Sequence, residues 1–110
     1  MSLTDTNFRV VSDPDGPDYV VKAEGGIDLD SAVGFQEALL DGLVTFPNRL
    51  IIDMSQVSSF DTAGTDVLLS THQRGKAIGT ELVVQTPSPA VRECLDSAGV
   101  TVLRVRHAPD

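Results

Sequence analysis

The chain has 110 residues, with 8 basic and 16 acidic side chains and a net charge of −8. Nucleic acid and anionic membranes both select positive surfaces, so neither is expected as a partner. A single cysteine, Cys94, excludes an internal disulfide and a cysteine-based metal cluster. The lack of tryptophan, with only one tyrosine, argues against stacking platforms for bases or sugars.

Hydrophobic residues make up 41% and charged residues 22%, the balance of an ordinary globular core in one domain. No apolar run approaches the roughly 20 residues needed to span a bilayer. Met1-Ser2-Leu3-Thr4-Asp5 shows no basic stretch followed by an apolar one. The expectation is a soluble, cytoplasmic domain over 1–110, with a core at about 8–105 and frayed ends.

Phe8-Arg9-Val10-Val11 alternates as a strand does, Ser12 to Asp18 is dense in turn formers, and Tyr19 to Ala23 reads as a second strand, which predicts a hairpin. Asp30 or Ser31 can cap a helix that runs to about Val44. Its buried face is Phe35, Leu39 and Leu43, widened by Leu40. Arg49 to Met54 is a compact apolar strand, expected to be buried on both faces, and Ser55 to Phe60 reads as a polar crossover.

A second helix is expected from Thr62 or Ala63 to Ala77, with Gly64, Val67, Leu68, Thr71, Gly75 and Ile78 on one face and Gly79 as its stop. Glu81 to Gln85 is the next strand. Ser88-Pro89 opens a third helix with Val91, Cys94, Leu95 and Ala98 at helical spacing. Gly99 ends it, and Val100 to Val105 supplies a last strand. The order β-β-α-β-α-β-α-β predicts an α/β fold: a mostly parallel mixed sheet of about five strands with helices packed on it.

Catalytic and metal chemistry find little support. His72 falls on a polar helix position and His107 in the tail, and neither has a second ligand at metal spacing. Cys94 lies on an apolar stripe, as a small core residue would. Asp13-Pro14-Asp15-Gly16 has a passing likeness to a calcium loop. However, Val11 and Lys22 stand where further ligands are needed. No phosphate loop or dinucleotide fingerprint occurs, so no cofactor and no enzymatic activity are expected. A phosphoaspartate receiver lacks its acidic cluster, because the first strand ends Val10-Val11-Ser12.

The informative segment is Ser58 to Asp66. Asp61 and Thr62 are both good helix caps, and Gly64 leaves the backbone of the first turn open to an approaching partner. A helix N-terminus tolerates an added anion. Thr62 is thus a hydroxyl at a position where a phosphate could be held, although on these residues alone the plain cap is the preferred reading.

Four segments stand in a recognisable order: Gly25-Gly26-Ile27-Asp28-Leu29, Leu50-Ile51-Ile52-Asp53-Met54-Ser55, Phe60-Asp61-Thr62-Ala63-Gly64 and Pro87-Ser88-Pro89-Ala90-Val91. In that order and spacing, the chain resembles STAS domains, in particular stand-alone bacterial anti-sigma factor antagonists, from about Phe8 to Val105. The resemblance implies partner switching in the stress responses these proteins serve. The dephosphorylated antagonist binds an anti-sigma factor and frees a sigma factor. The anti-sigma factor is itself a serine/threonine kinase using ATP and magnesium; it phosphorylates the antagonist and ends the complex. A phosphatase resets the cycle.

Carried over, the phosphoacceptor is Thr62. The implied partner-binding set is Asp28, Asp61, Ala63, Gly64, Thr65 and Asp66, on a chain that is monomeric when free. Gly26 departs from the polar residue usual in the family, and Thr65-Asp66 replaces a common Leu-Gly pair. The alternative reading is a constitutive, non-phosphorylated STAS subunit of a transporter or larger signalling complex.

Overall fold

Five strands and three helices alternate as β1 (Asn7–Ser12), β2 (Asp18–Ile27), α1 (Ala32–Leu43), β3 (Arg49–Phe60), α2 (Thr62–Ile78), β4 (Glu81–Gln85), α3 (Pro89–Ser97) and β5 (Arg104–Arg106). The structure, a computed structural model, describes residues 7–12 as backbone and residues 17–106 in full. The acidic turn at 13–16 and His107 lie outside the described residues. The strands form one sheet in the order β1-β2-β3-β4-β5. β1 pairs with β2 antiparallel, and the remaining pairs are parallel.

Each parallel crossover steps to the next strand in the same direction. Right-handed connections therefore stack all three helices on one face. That face holds the core: Val21, Ala23, Leu50, Ile52, Met54, Leu82 and Val84 from the strands meet Phe35, Leu39, Val67, Leu68, Val91 and Leu95 from the helices. On the opposite face Val20, Ile51 and Val83 lie in one register row, and Ile51 and Val83 are buried. There the cover consists of long side chains tied across neighbouring strands. Arg49 binds Asp18 through two hydrogen bonds of 2.9 and 3.2 Å, Arg104 reaches Glu81 at 3.1 Å, and Arg106 donates to Gln85. The Asp18 carboxylate, by hydrogen bond and charge, holds the Arg49 guanidinium pKa above its ordinary value.

Two strands are longer than expected. β2 runs on to Ile27, and β3 continues through Ser55–Phe60, the segment read as a crossover. Its polarity misled because only one face of this stretch is covered: Val57 is 2% exposed, while Ser58 and Ser59 face solvent. Here β3 carries two more residues than β2, with register shifts between Lys22 and Glu24 and between Gly25 and Gly26. These shifts behave as bulges, which bend and twist a strand pair. At the first, the Asp53 carboxylate accepts from the Ser55 amide at 3.0 Å and its hydroxyl at 2.8 Å.

β4 stops pairing at Gln85, opposite Asp53. The β2–β3 ribbon therefore projects roughly 20 Å beyond it at strand rise. The Ser88 amide, at the start of α3, donates to the Met54 carbonyl just past the last β4 pair.

The last strand is shorter than Val100–Val105. Gly99 takes φ +68 after α3, the Val100 amide returns to the Leu95 carbonyl, and Leu103 is buried before β5 begins. This helix closure overrides the β-branched run. Ile78, expected on the buried face of α2, is 40% exposed, and Ala98 lies beyond α3 on the surface. Val91 and Leu95 carry the α3 contact. α1 closes on Phe46, which holds φ +54 with its amide on the Leu43 carbonyl. A bulky residue seldom occupies that left-handed position.

Candidate functional site

Ile27 and Phe60 are register partners at the tip of the β2–β3 ribbon. The chain leaves both strands there, so Asp28 and Asp61 emerge side by side, about one strand spacing of 4.8 Å apart at the last pair. On the β3 side, Asp61 takes extended backbone angles and its carboxylate accepts from the Ala63 amide at 3.0 Å. Asp61 is therefore the cap of α2, and Thr62 is its first helical residue. Thr62 is exposed, and its hydroxyl has no hydrogen bond among the described residues. Asp66, also exposed, lies one turn further along the same helix side.

On the β2 side, the loop into α1 is ordered by Asp28. Its Oδ1 accepts from the Asp30 amide at 3.0 Å and the Ser31 amide at 3.1 Å. The Asp28 amide donates to the Ser31 hydroxyl at 2.9 Å, and that hydroxyl also lies 3.2 Å from the Gly26 carbonyl. Ser31 occupies the cap position of α1 yet makes no side-chain cap bond. Its hydroxyl holds the loop instead. Asp28 is thus exposed at the expected edge, but its carboxylate is engaged by its own loop.

Aromatic packing locks the two sides together. Phe35 of α1 meets the Phe60 ring edge-to-face, with centroids 6.5 Å apart. α2 begins directly over Phe60: a Cβ at Gly64 would sit 2.5 Å from that ring. Gly64 is therefore required by the ring beneath the helix, rather than by a partner approaching from above. Thr65, placed by the sequence among the partner contacts, is 3% exposed. Its hydroxyl lies 3.3 Å from Cys94 Sγ, which ties the first turn of α2 to α3. Cys94 is correspondingly half-buried.

Gly64→Ala should lose about 1–3 kcal/mol through overpacking against Phe60. Chemical denaturation measures this directly. An unchanged midpoint would mean that the ring has room to move aside.

The edge is strongly acidic. Asp28, Asp30, Asp61 and Asp66 are all exposed, and none has an ion-pair partner among the described residues. A Cβ at Gly26, the departure noted in the sequence, would lie 2.6 Å from the hydroxyl of exposed Ser59, which would have to rotate aside.

Among the described residues, no three His, Cys, Asp or Glu side chains could together hold a metal ion, and no helix is long and apolar enough to cross a membrane. His72 is half-buried rather than free in solvent. It lines a cavity of about 600 Å³ with Lys76 and Arg104, ten residues along α2 from Thr62.

A family model described as the STAS domain matches residues 9–105, nearly the whole chain. This chain belongs to the STAS domain family. Among solved structures, it is similar to an anti-sigma factor antagonist from Mycobacterium paratuberculosis. The two share 26% identity with a TM-score of 0.74, over 91% of this chain and 86% of that one. It is also similar to the anti-sigma factor antagonist SpoIIAA in its unphosphorylated form, at 16% identity and a TM-score of 0.78, over 94% and 90% of the two chains. RsbS of Moorella thermoacetica matches at 24% identity and a TM-score of 0.69, over 99% and 88%. Within this STAS domain, the sequence segments that carried the resemblance end β2, form β3, join β3 to α2, and open α3.

Proposed function

We propose that this STAS domain is an anti-sigma factor antagonist that works by partner switching, with Thr62 as its phosphoacceptor. The observation that carries this reading is the Thr62 hydroxyl. It is exposed and unused by the fold, while Asp61 caps the helix and Phe60, Gly64 and Thr65 anchor its first turn. A kinase can reach such a group without unfolding anything. The partner face comprises Asp28 through its ordered loop, Asp61, Thr62, Ala63 and Asp66. Gly64 and Thr65 support that face from beneath.

The dephosphorylated face binds an anti-sigma factor, itself a serine/threonine kinase, and a sigma factor is released. Phosphate on Thr62 adds about −1.5 to −2 charges at neutral pH. Set in the middle of an interface, this charge must be desolvated beside Asp61 and Asp66, and the complex opens. A phosphatase restores binding. The chemistry belongs to the partners; the chain is a substrate and binding module, not an enzyme. It acts in the cytoplasm and is monomeric when free. The similarity to an anti-sigma factor antagonist at 26% identity supports the same role.

The test is phosphosite mapping by mass spectrometry after incubation with the anti-sigma kinase and ATP. Phosphate on Thr62 is the expected result. Phosphate on Ser58 or Ser59, which are exposed on β3, would refute the residue assignment. One specific feature favours a second reading: Asp66 lies a helical turn from Thr62 and repels a phosphate. No phosphate anywhere would favour that reading, a constitutive, non-phosphorylated STAS subunit of a transporter or larger signalling complex.

A further inference from the structure

Leu29 and Val33 are large apolar side chains left in water beside the acidic edge, 77% and 62% exposed. They flank the start of α1, four residues apart, with Asp28 and Asp30 on either side of Leu29. Leu29 lies two residues beyond Ile27, as Thr62 lies two beyond Phe60, so the register of the ribbon brings both to the same tip. The loop that carries Leu29 is held by the hydrogen bonds among Asp28, Asp30 and Ser31. Its side chain is therefore presented by an ordered backbone, and binding needs little further ordering of the loop.

An apolar centre with a charged rim is the anatomy of a protein-binding patch. Here the rim has one sign, from Asp28, Asp30, Asp61 and Asp66. The other exposed apolar side chains lie elsewhere; Val44, for example, lies at the far end of α1.

We propose that Leu29 and Val33 are the apolar anchor of the partner face. The surface they fit belongs to a protein with an apolar pocket bordered by Lys and Arg side chains. This inference rests on the partner-switching reading and names the chemistry of that partner. Leu29 supplies affinity by desolvation. The carboxylates steer encounter and orientation, and their effect weakens with salt.

The experiment is calorimetric titration of the purified anti-sigma kinase with the dephosphorylated chain, at low and physiological salt. The wild type is compared with Leu29→Ser, Val33→Ser, Asp30→Asn and, as a distant control, Val44→Ser. Leu29→Ser should weaken binding about ten- to a hundredfold at both salts, with an unchanged melting curve, as befits an exposed position. Val33→Ser should act in the same direction. Asp30→Asn should weaken binding less and flatten its salt dependence. Val44→Ser should bind as the wild type does. If the wild type binds and is released on Thr62 phosphorylation, but Leu29→Ser and Val33→Ser bind equally well, the anchor is refuted and partner switching stands. If the wild type binds no anti-sigma kinase, both are overturned.

Discussion

Thr62→Ala should bind the anti-sigma kinase permanently, and ATP should no longer dissociate the complex. With its hydroxyl gone the switch has no acceptor, while the rest of the face is unaltered. Stability should hardly change: Asp61, not Thr62, caps α2, and exposed positions away from caps usually shift stability by about 0.5 kcal/mol or less. The sequence alone allowed Thr62 a capping role, whose loss costs roughly 0.5–2 kcal/mol. The Asp61 hydrogen bond to the Ala63 amide removes that expectation.

In the wild type, phosphorylation should weaken binding about 100-fold or more, since an uncompensated charge in an interface costs about 3–5 kcal/mol. Thr62→Glu should fold normally, because a carboxylate suits a helix N-terminus. It should reproduce only part of the loss, with one charge and fewer acceptor oxygens than phosphate. Binding curves for the four species, with and without ATP, measure this directly. ATP-dependent release of the Thr62→Ala complex would end the assignment.

Phe35→Ala should be the most damaging single change near the site. Phe35 is fully buried and forms the edge-to-face pair with Phe60 on which Gly64 and the start of α2 rest. Removing such a ring costs about 3–5 kcal/mol. A domain of this size has about 5–15 kcal/mol in total. The melting temperature should fall on the order of 10–20 °C.

The site should loosen before the domain unfolds. Hydrogen exchange at Thr65, whose amide closes the first turn of α2 on the Asp61 carbonyl, should accelerate in the variant more than exchange in the centre of β3. Phe35→Leu keeps most of the volume and should recover much of the stability. An equal rise in exchange throughout the chain would mean that Phe35 is ordinary core and does not anchor the site in particular.

Local rules in the chain determined a great deal about this protein. Apolar spacing at 3.6 and at 2 residues set the order of elements, because every helix must bury a stripe and every inner strand a face. Gly79, Ser88, Pro89 and Gly99 marked helix ends that the structure keeps, since their backbone and capping preferences act within a turn or two. The Asp61-Thr62 junction was legible for the same reason. Tertiary packing decided the rest.

Gly25 and Gly26 lie beyond the strand expected at Tyr19 to Ala23, yet belong to β2, because pairing with a bulged β3 outweighs weak strand propensity. Ser55 to Ser59 read as crossover because one of its faces is solvated, and Val57 alone records the buried one. Gly64 looked like an opening for a partner until the Phe60 ring appeared beneath it. Thr65 looked like a surface contact until Cys94, twenty-nine residues away in sequence, met its hydroxyl. The Cys94 contact leaves no trace in local spacing, because only the crossovers bring α2 and α3 together. The Phe60–Gly64 contact spans four residues, but that the ring lies under α2 goes with its edge-to-face packing on Phe35, a residue of another element.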